Sequence, residues 1–301
     1  MFRRVFRKIA PNPLDRLLKK AQKKNQKKFL LAWNRGLGDI PLGLYAIVYR
    51  IREFIPDCSI TFVTRENLRE GFSLLEGIDL LIAPKWKRGK AYSIKEALLE
   101  LGKDPAAYDV LIEYPDPTYW VKWQRGKLTP KLKWDNEWDR LWKKYDLKED
   151  QKYIGVHPFT ETQYGFGRNW PVQKWQELFD RITQKYQTKI LLFGFEKEPH
   201  FSGDGIIDLR GETNLYQLLS IIKNRCEALI MLDSGIGAMT YYLDSSFPIQ
   251  IVSLWGNPDM GILKQNVPSP NPQLKHTPLL GRDENINNIE AIEVEKALFA
   301  L

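Results

Sequence analysis

Three carboxylates, an arginine and several hydroxyls stand in this chain where a strand pattern gives way to a helix pattern, the edge at which open parallel sheets take their ligands. The first such point is Asn34-Arg35-Gly36-Leu37-Gly38-Asp39-Ile40-Pro41. Position 41 is proline, not the third glycine of a dinucleotide fingerprint, and Asp39 would repel a pyrophosphate placed on that helix start. Asp39 therefore has two readings, an N-cap or a carboxylate at a cleft mouth that accepts a proton from a hydroxyl. The second point is Asp233-Ser234-Gly235-Ile236-Gly237-Ala238. Its small residues and the Ser234 hydroxyl suit a phosphate, and equally suit a simple helix cap.

Between these points, His157-Pro158-Phe159-Thr160-Glu161-Thr162 leaves another strand and leads to Arg168-Asn169-Trp170-Pro171. Arg168 is placed either to clamp a diphosphate bidentately or to lie at the surface beside a buried Trp. Glu196 follows a strand ending Phe193-Gly194 and stands where ribose hydroxyls would need an acceptor, although most exposed glutamates have no such duty.

The elements that must hold these residues alternate along the whole body. Strand patterns at 29–33, 59–64, 79–83 and 109–113 are separated by helical patterns at 40–54, 66–75 and 93–101. The rhythm restarts with strands at 153–156, 189–193, 206–208, 228–232 and 250–254, and helices at 172–186, 214–224, 237–243 and 289–299. This alternation predicts an α/β protein with two Rossmann-like halves. The expected organisation is a leader over 1–28, an N-terminal half over 29–150 and a C-terminal half over 151–301. The stretch 119–147 interrupts the rhythm with five of the ten Trp residues. Trp134, Trp138, Leu141, Trp142 and Tyr145 fall on one helical stripe, which reads as a helix packed on a domain; an interfacial or sugar-stacking stripe is the alternative.

Charge is unevenly placed. The 301 residues carry a net charge of +8, yet residues 1–28 alone hold eleven cations against Asp15, leaving 34 basic and 36 acidic side chains in the body. A slightly acidic body disfavours nucleic acid as a partner. In the leader, Phe2, Val5, Phe6 and Ile9, then Leu14, Leu17, Leu18 and Ala21 after Pro11-Asn12-Pro13, recur at helical spacing among lysines and arginines. Two short amphipathic helices on an anionic membrane surface are the expected reading, and packing on the body is the plainer one. Two cysteines and three histidines make a disulfide framework or a zinc site unexpected. With no secretory signal and no spanning segment, a cytoplasmic protein is expected.

In order and combination these motifs resemble the lipopolysaccharide heptosyltransferases, glycosyltransferase family 9. The likeness rests on Arg35-x-x-Gly38-Asp39, Tyr108-Asp109-Val110-Leu111-Ile112-Glu113 and Arg168-Asn169-Trp170-Pro171-x-x-x-Trp175. It continues through Leu192-Phe193-Gly194-x-Glu196, Leu209-x-Gly211-Glu212-Thr213, Asp233-Ser234-Gly235 and Leu254-Trp255-Gly256-Asn257-Pro258. The leader and the Trp-rich stretch lie outside it. The resemblance implies a GT-B architecture, two Rossmann-like domains facing across a cleft, and a metal-independent inverting transfer of heptose or a related sugar. It requires no cofactor. The donor would be ADP-heptose or another nucleotide diphosphate sugar, and the acceptor a lipopolysaccharide-type glycan or glycolipid at the inner face of the bacterial inner membrane.

By position, the resemblance makes Asp39 the base, with Arg35 and Gly38 on the acceptor side. Thr160, Thr162, Arg168, Glu196, Thr213, Asp233, Ser234 and Gly235 fall on the donor side, and no metal ligand is implied. Three departures stand out: Ala238 where the family carries His, Arg168 where it carries Lys, and a longer loop between Thr160 and Arg168. Ala238 keeps open a rival reading, a degenerate GT-B protein that binds a nucleotide sugar or glycan without turnover. A nucleotide-sugar epimerase of related build is a third.

Overall fold

A computed structural model describes residues 12–90, 93–161 and 167–299. The chain forms two compact units, Met1–Pro130 and Lys131–Leu301.

The first unit begins with α1 (Pro13–Lys23), a helix whose Asn12 cap accepts from the Leu14 amide at 2.9 Å. Next come β1 (Lys28–Trp33), α2 (Tyr45–Phe54), β2 (Ser59–Thr64), α3 (Arg69–Ser73), β3 (Asp79–Ile82), α4 (Ile94–Glu100) and β4 (Val110–Ile112). The sheet is parallel throughout, in the order β3-β2-β1-β4. Phe29, Leu30 and Leu31 of β1 have no exposed surface, as expected for a strand covered on both faces. Asp109, from the Tyr108–Glu113 motif, accepts from the Lys27 and Lys28 amides at 2.7 and 2.9 Å, so its carboxylate holds the entry of β1. Those two amides draw its pKa below the usual carboxylate value.

The second half of the leader departs from the membrane expectation. Leu14, Leu18 and Ala21 are buried, Asp15 meets the Arg50 guanidinium of α2 through a fork at 2.9 and 2.8 Å, and the Asn12 amide nitrogen donates to the Trp120 carbonyl. The apolar stripe of α1 is therefore part of the first unit's interior, and 28/29 is not a domain boundary. Phe2, Val5, Phe6 and Ile9 lie outside the described residues. Truncating Leu18 to Ala is expected to destabilise the protein by about 2–5 kcal/mol, as for other fully buried leucines. Urea denaturation would measure this, and a loss below about 0.5 kcal/mol would contradict the packing.

The second unit opens with a 3-10 helix at Asn136–Lys144, then β5 (Tyr153–His157), α5 (Val172–Tyr186), β6 (Ile190–Leu192), β7 (Ile206–Asp208) and α6 (Leu215–Arg225). It continues with β8 (Cys226–Leu232), α7 (Gly235–Tyr241), β9 (Ile249–Trp255), α8 (Gly261–Gln265), β10 (Leu274–Leu280) and α9 (Ala291–Phe299). All pairs are parallel, in the order β10-β9-β8-β5-β6-β7. Counted from β5, this is the 3-2-1-4-5-6 order of a Rossmann sheet. The α5 face buries Trp175, Leu178, Phe179 and Ile182 against it, with Trp170 edge-on to Trp175 at 4.9 Å.

Two sequence expectations are corrected here. The Trp-rich stretch belongs to the second unit from residue 131, which moves the boundary from 150 to 130. Trp138 stacks on Tyr216 of α6 at 4.3 Å, the Trp142 amide donates to Ser220 Oγ at 3.2 Å, and Lys223 meets Asp139 at 2.6 Å. The packing reading of that stripe holds. The tenth strand has no counterpart in the sequence expectation, because Pro278 interrupts its run; a sheet edge tolerates a proline that cannot donate.

Candidate functional site

In the first unit the order of strands reverses between β1 and β4, which makes their carboxyl ends the switch point. Asp39 lies there, six residues past Trp33. It occupies the N-cap position of a π-helical turn, Ile40–Leu44, but its side chain makes no capping hydrogen bond, so the cap reading fails. A Cβ on Gly36 would come within 2.8 Å of Asp39 Oδ2, which means the carboxylate folds back over the glycine. The π turn is closed by the Tyr45 amide donating to the Ile40 carbonyl, and Gly43 lets it approach the Pro117 carbonyl where any Cβ would collide.

The loop before Asp39 is held on both sides. Trp33 Nε1 donates to the Gly36 carbonyl at 3.2 Å, and Asn34 Nδ2 donates to the Lys87 and Lys90 carbonyls at 3.2 and 2.8 Å. From the end of β2, Arg65 donates to the carbonyls of Asn34 and Arg35, each at 3.2 Å. Burial, and then the neighbouring Arg88, depress the Arg65 pKa. Arg35 itself is exposed and Gly38 is partly covered. A half-buried carboxylate on a loop fixed from both sides is placed to take a proton from an incoming hydroxyl.

In the second unit the switch point lies between β5 and β8, and Arg168 ties its two sides together. Its Nη2 donates to the Glu161 carbonyl past β5 at 2.6 Å, and its Nη1 reaches the carbonyl and Oδ2 of Asp233 past β8, both at 3.4 Å. Asn169 Oδ1 accepts from the Thr160 amide at 2.8 Å and closes the same loop. Burial is the main influence on Asp233 and raises its pKa, while Arg168 pulls it back. Ser234 caps α7 by accepting from the Gly237 amide at 3.1 Å, so the cap reading of that serine is correct; its O–H remains able to donate. Since α7 spans only seven residues, the cationic charge offered here is essentially that of Arg168. Thr162 lies outside the described residues.

Glu196 and Thr213 are at the same carboxyl edge but further along, past β6 and β7. Glu196 is exposed, and Thr213 Oγ1 is buried with no hydrogen-bond partner. Two residues with no assigned role complete the β5/β8 side. His157, the last residue of β5, is buried, has an unpartnered Nδ1, and is pushed by burial down to about 4, which keeps its ring neutral. Trp255 ends β9, and a Cβ on Gly261 would lie 2.7 Å from its ring and against Asp233 Oδ1, so a glycine with φ +48° lets ring and carboxylate close on the same point. The Leu254–Pro258 motif was the visible signal for this contact; its partner at 261 was not legible. Among the described residues, no three His, Cys, Asp or Glu side chains gather as metal ligands, and no helix is long and apolar enough to cross a membrane.

No family model matches the chain, and no curated protein matches it in sequence. Solved structures do. A glycosyl transferase of family 9 from Veillonella parvula is 17% identical with a TM-score of 0.60, over 91% of this chain and 96% of that one. The ADP-heptose lipopolysaccharide heptosyltransferase II of E. coli is 16% identical with a TM-score of 0.62, over 91% and 98%. E. coli heptosyltransferase WaaC, solved with ADP, is 13% identical with a TM-score of 0.53, over 90% and 99%. This chain has the heptosyltransferase fold. Within that fold, Ala238 is buried inside α7, and Arg168 uses two guanidinium nitrogens on two different loops, a grip that a lysine's single ammonium would not reproduce.

Proposed function

We propose that this protein is an inverting glycosyltransferase that moves a heptose or related sugar from a nucleotide diphosphate donor to an envelope glycan or glycolipid, without a metal ion. The observation that carries the reading is Arg168, a cation joining both loops of a Rossmann switch point, where a diphosphate would displace its long contacts to Asp233. Asp39 removes the proton of the acceptor hydroxyl, and the oxygen's electron pair forms the new bond to the anomeric carbon. The bond from that carbon to the diphosphate breaks on the opposite face, and Arg168 with the Ser234 O–H receives the charge that leaves with the nucleoside diphosphate. Thr160, and Thr162 by its place in the sequence, are assigned to the phosphates, and Glu196 and Thr213 to the ribose. ADP-heptose is the donor expected from the fold's relatives.

A lipid-linked acceptor would place the enzyme peripherally at the inner face of the inner membrane, and the leader would then act through its exposed cations. Arg16, Lys19, Lys20 and Lys23 are exposed on α1, and Lys24 is exposed at its C-cap. Incubation of the purified protein with ADP-, UDP- and GDP-linked sugars, with and without lipopolysaccharide core fragments, tests the assignment through released nucleoside diphosphate. Acceptor-dependent release is expected. Binding without release would favour the degenerate scaffold, for which Ala238 is the supporting observation, and isomerisation without acceptor would identify an epimerase.

A further inference from the structure

Ser253 of β9 and His276 of β10 take no part in the proposed transfer, yet they lie in one row with Trp255. Alternate positions of a strand share a face, so Ser253 and Trp255 project from the same side of β9. β10 runs parallel to β9 with His276 opposite Ile251, which puts its ring on that side too. The row is joined by two short contacts. Trp255 Nε1 lies 2.6 Å from Ser253 Oγ, and Ser253 Oγ lies 2.6 Å from His276 Nε2. Tyr241 of α7 closes edge-on over the imidazole at 5.2 Å.

What each group can donate or accept sets the direction of these bonds. An indole N–H only donates, so Ser253 Oγ accepts from Trp255. Ser253 has no exposed surface, and a buried hydroxyl proton without an acceptor is costly. Burial pushes the His276 ring down to about 4 and keeps it neutral, so one ring nitrogen is an acceptor. The serine proton therefore goes to Nε2, and the imidazole keeps its own proton on Nδ1.

The other end of this chain reaches the donor turn. Rotation of an indole about its second side-chain torsion is broad and roughly two-fold, so a tethered N–H selects one of two orientations. In the orientation observed, the six-membered edge of the ring and Asp233 Oδ1 converge over Gly261, where a Cβ would lie 2.7 Å from the ring. Arg168 reaches the opposite oxygen, Oδ2, at 3.4 Å. The carboxylate is thus held from both sides. We propose that His276 and Ser253 form a hydrogen-bond relay that fixes the Trp255 indole, and that the fixed indole holds the Asp233 turn in the shape that receives the donor's diphosphate. All three are positioning residues, and their effect on binding rests on the proposed donor side.

The test is calorimetric titration of ADP and inorganic pyrophosphate into the full chain and its Ser253→Ala, His276→Ala, His276→Gln and Trp255→Phe variants. Ser253→Ala, His276→Ala and Trp255→Phe should each weaken both ligands about fivefold, the scale of one hydrogen bond. His276→Gln, whose amide oxygen can stand where Nε2 does, should restore them. Ser253→Ala added to Trp255→Phe should cost nothing more, because the relay is already cut. Nitrogen-15 labelling of the indoles gives a readout without ligand: the Trp255 signal, identified by its absence in Trp255→Phe, should move in Ser253→Ala. An indole signal unmoved by Ser253→Ala overturns the relay while the donor reading stands. Unchanged affinities, additive losses in the double variant, or no rescue by His276→Gln overturn the positioning role. A wild type that binds neither ligand overturns the donor reading and the relay's part in binding together.

Discussion

Asp39→Asn is expected to lower sugar transfer by about 10²- to 10⁴-fold, the usual worth of a positioned general base, with donor affinity unchanged. The substitution keeps the shape that folds over Gly36 and removes the charge together with the capacity to take a proton. It also removes no helix cap, because Asp39 makes none. Asp39→Ala should lose transfer to a similar extent, with nucleoside diphosphate binding retained as the check that the donor side is intact. Turnover near wild type in Asp39→Asn would remove this residue from the chemistry and direct the search for a base to other residues at the same edge.

Arg168→Ala is expected to act on both binding and stability. Loss of the guanidinium should weaken nucleoside diphosphate by about 10²-fold, the scale for truncating one member of a desolvated charge pair. Arg168→Lys should recover only part of this, because one ammonium cannot hold the Glu161 carbonyl and Asp233 together. The stability effect should depend on pH. Asp233 is pushed up chiefly by burial, so folding already disfavours its charged form, and removing Arg168 raises its folded pKa further. Well below pH 4, and so below the ordinary Asp value, the carboxyl is protonated in folded and unfolded chains alike and the variant should approach the wild type. As pH rises toward 7 the unfolded chain gains a freely solvated charge that the folded variant resists, and the stability gap should widen. Urea denaturation at about pH 3 and at pH 7 measures this. A gap that is constant with pH would show that Arg168 does not govern the ionisation of Asp233.

Much of this arrangement was legible because strand and helix periods are local. Nine of the ten strands follow runs such as Ser59–Thr64 and Ile206–Asp208, and the Asp39 and Asp233 turns announce themselves by glycine beside acid at a strand end. What escaped depends on distant partners. The Leu14, Leu18 and Ala21 stripe has the same spacing whether it faces lipid or α2, and only the Asp15–Arg50 fork decides. Likewise, Ser234 reads alike as cap or ligand until the Gly237 amide is placed on it. Arg210 falls in the unspecified position of a motif, and nothing in its neighbours foretells a buried guanidinium; its partners Asp208 and Pro199 are set by how β7 returns past the β6 loop.

The indole-rich helix at Asn136–Lys144 bears on how such a protein can be recombined. Trp138 and Trp142 on it, and Tyr145 at its end, lie on α6 and on the loop carrying Glu212, so they are inherited with the second unit rather than with the half that precedes them. A chimera joined at residue 150 would strip those rings away and leave apolar surface on α6 uncovered, whereas a join at 130 carries them along. The natural unit of exchange for the second half is therefore 131–301.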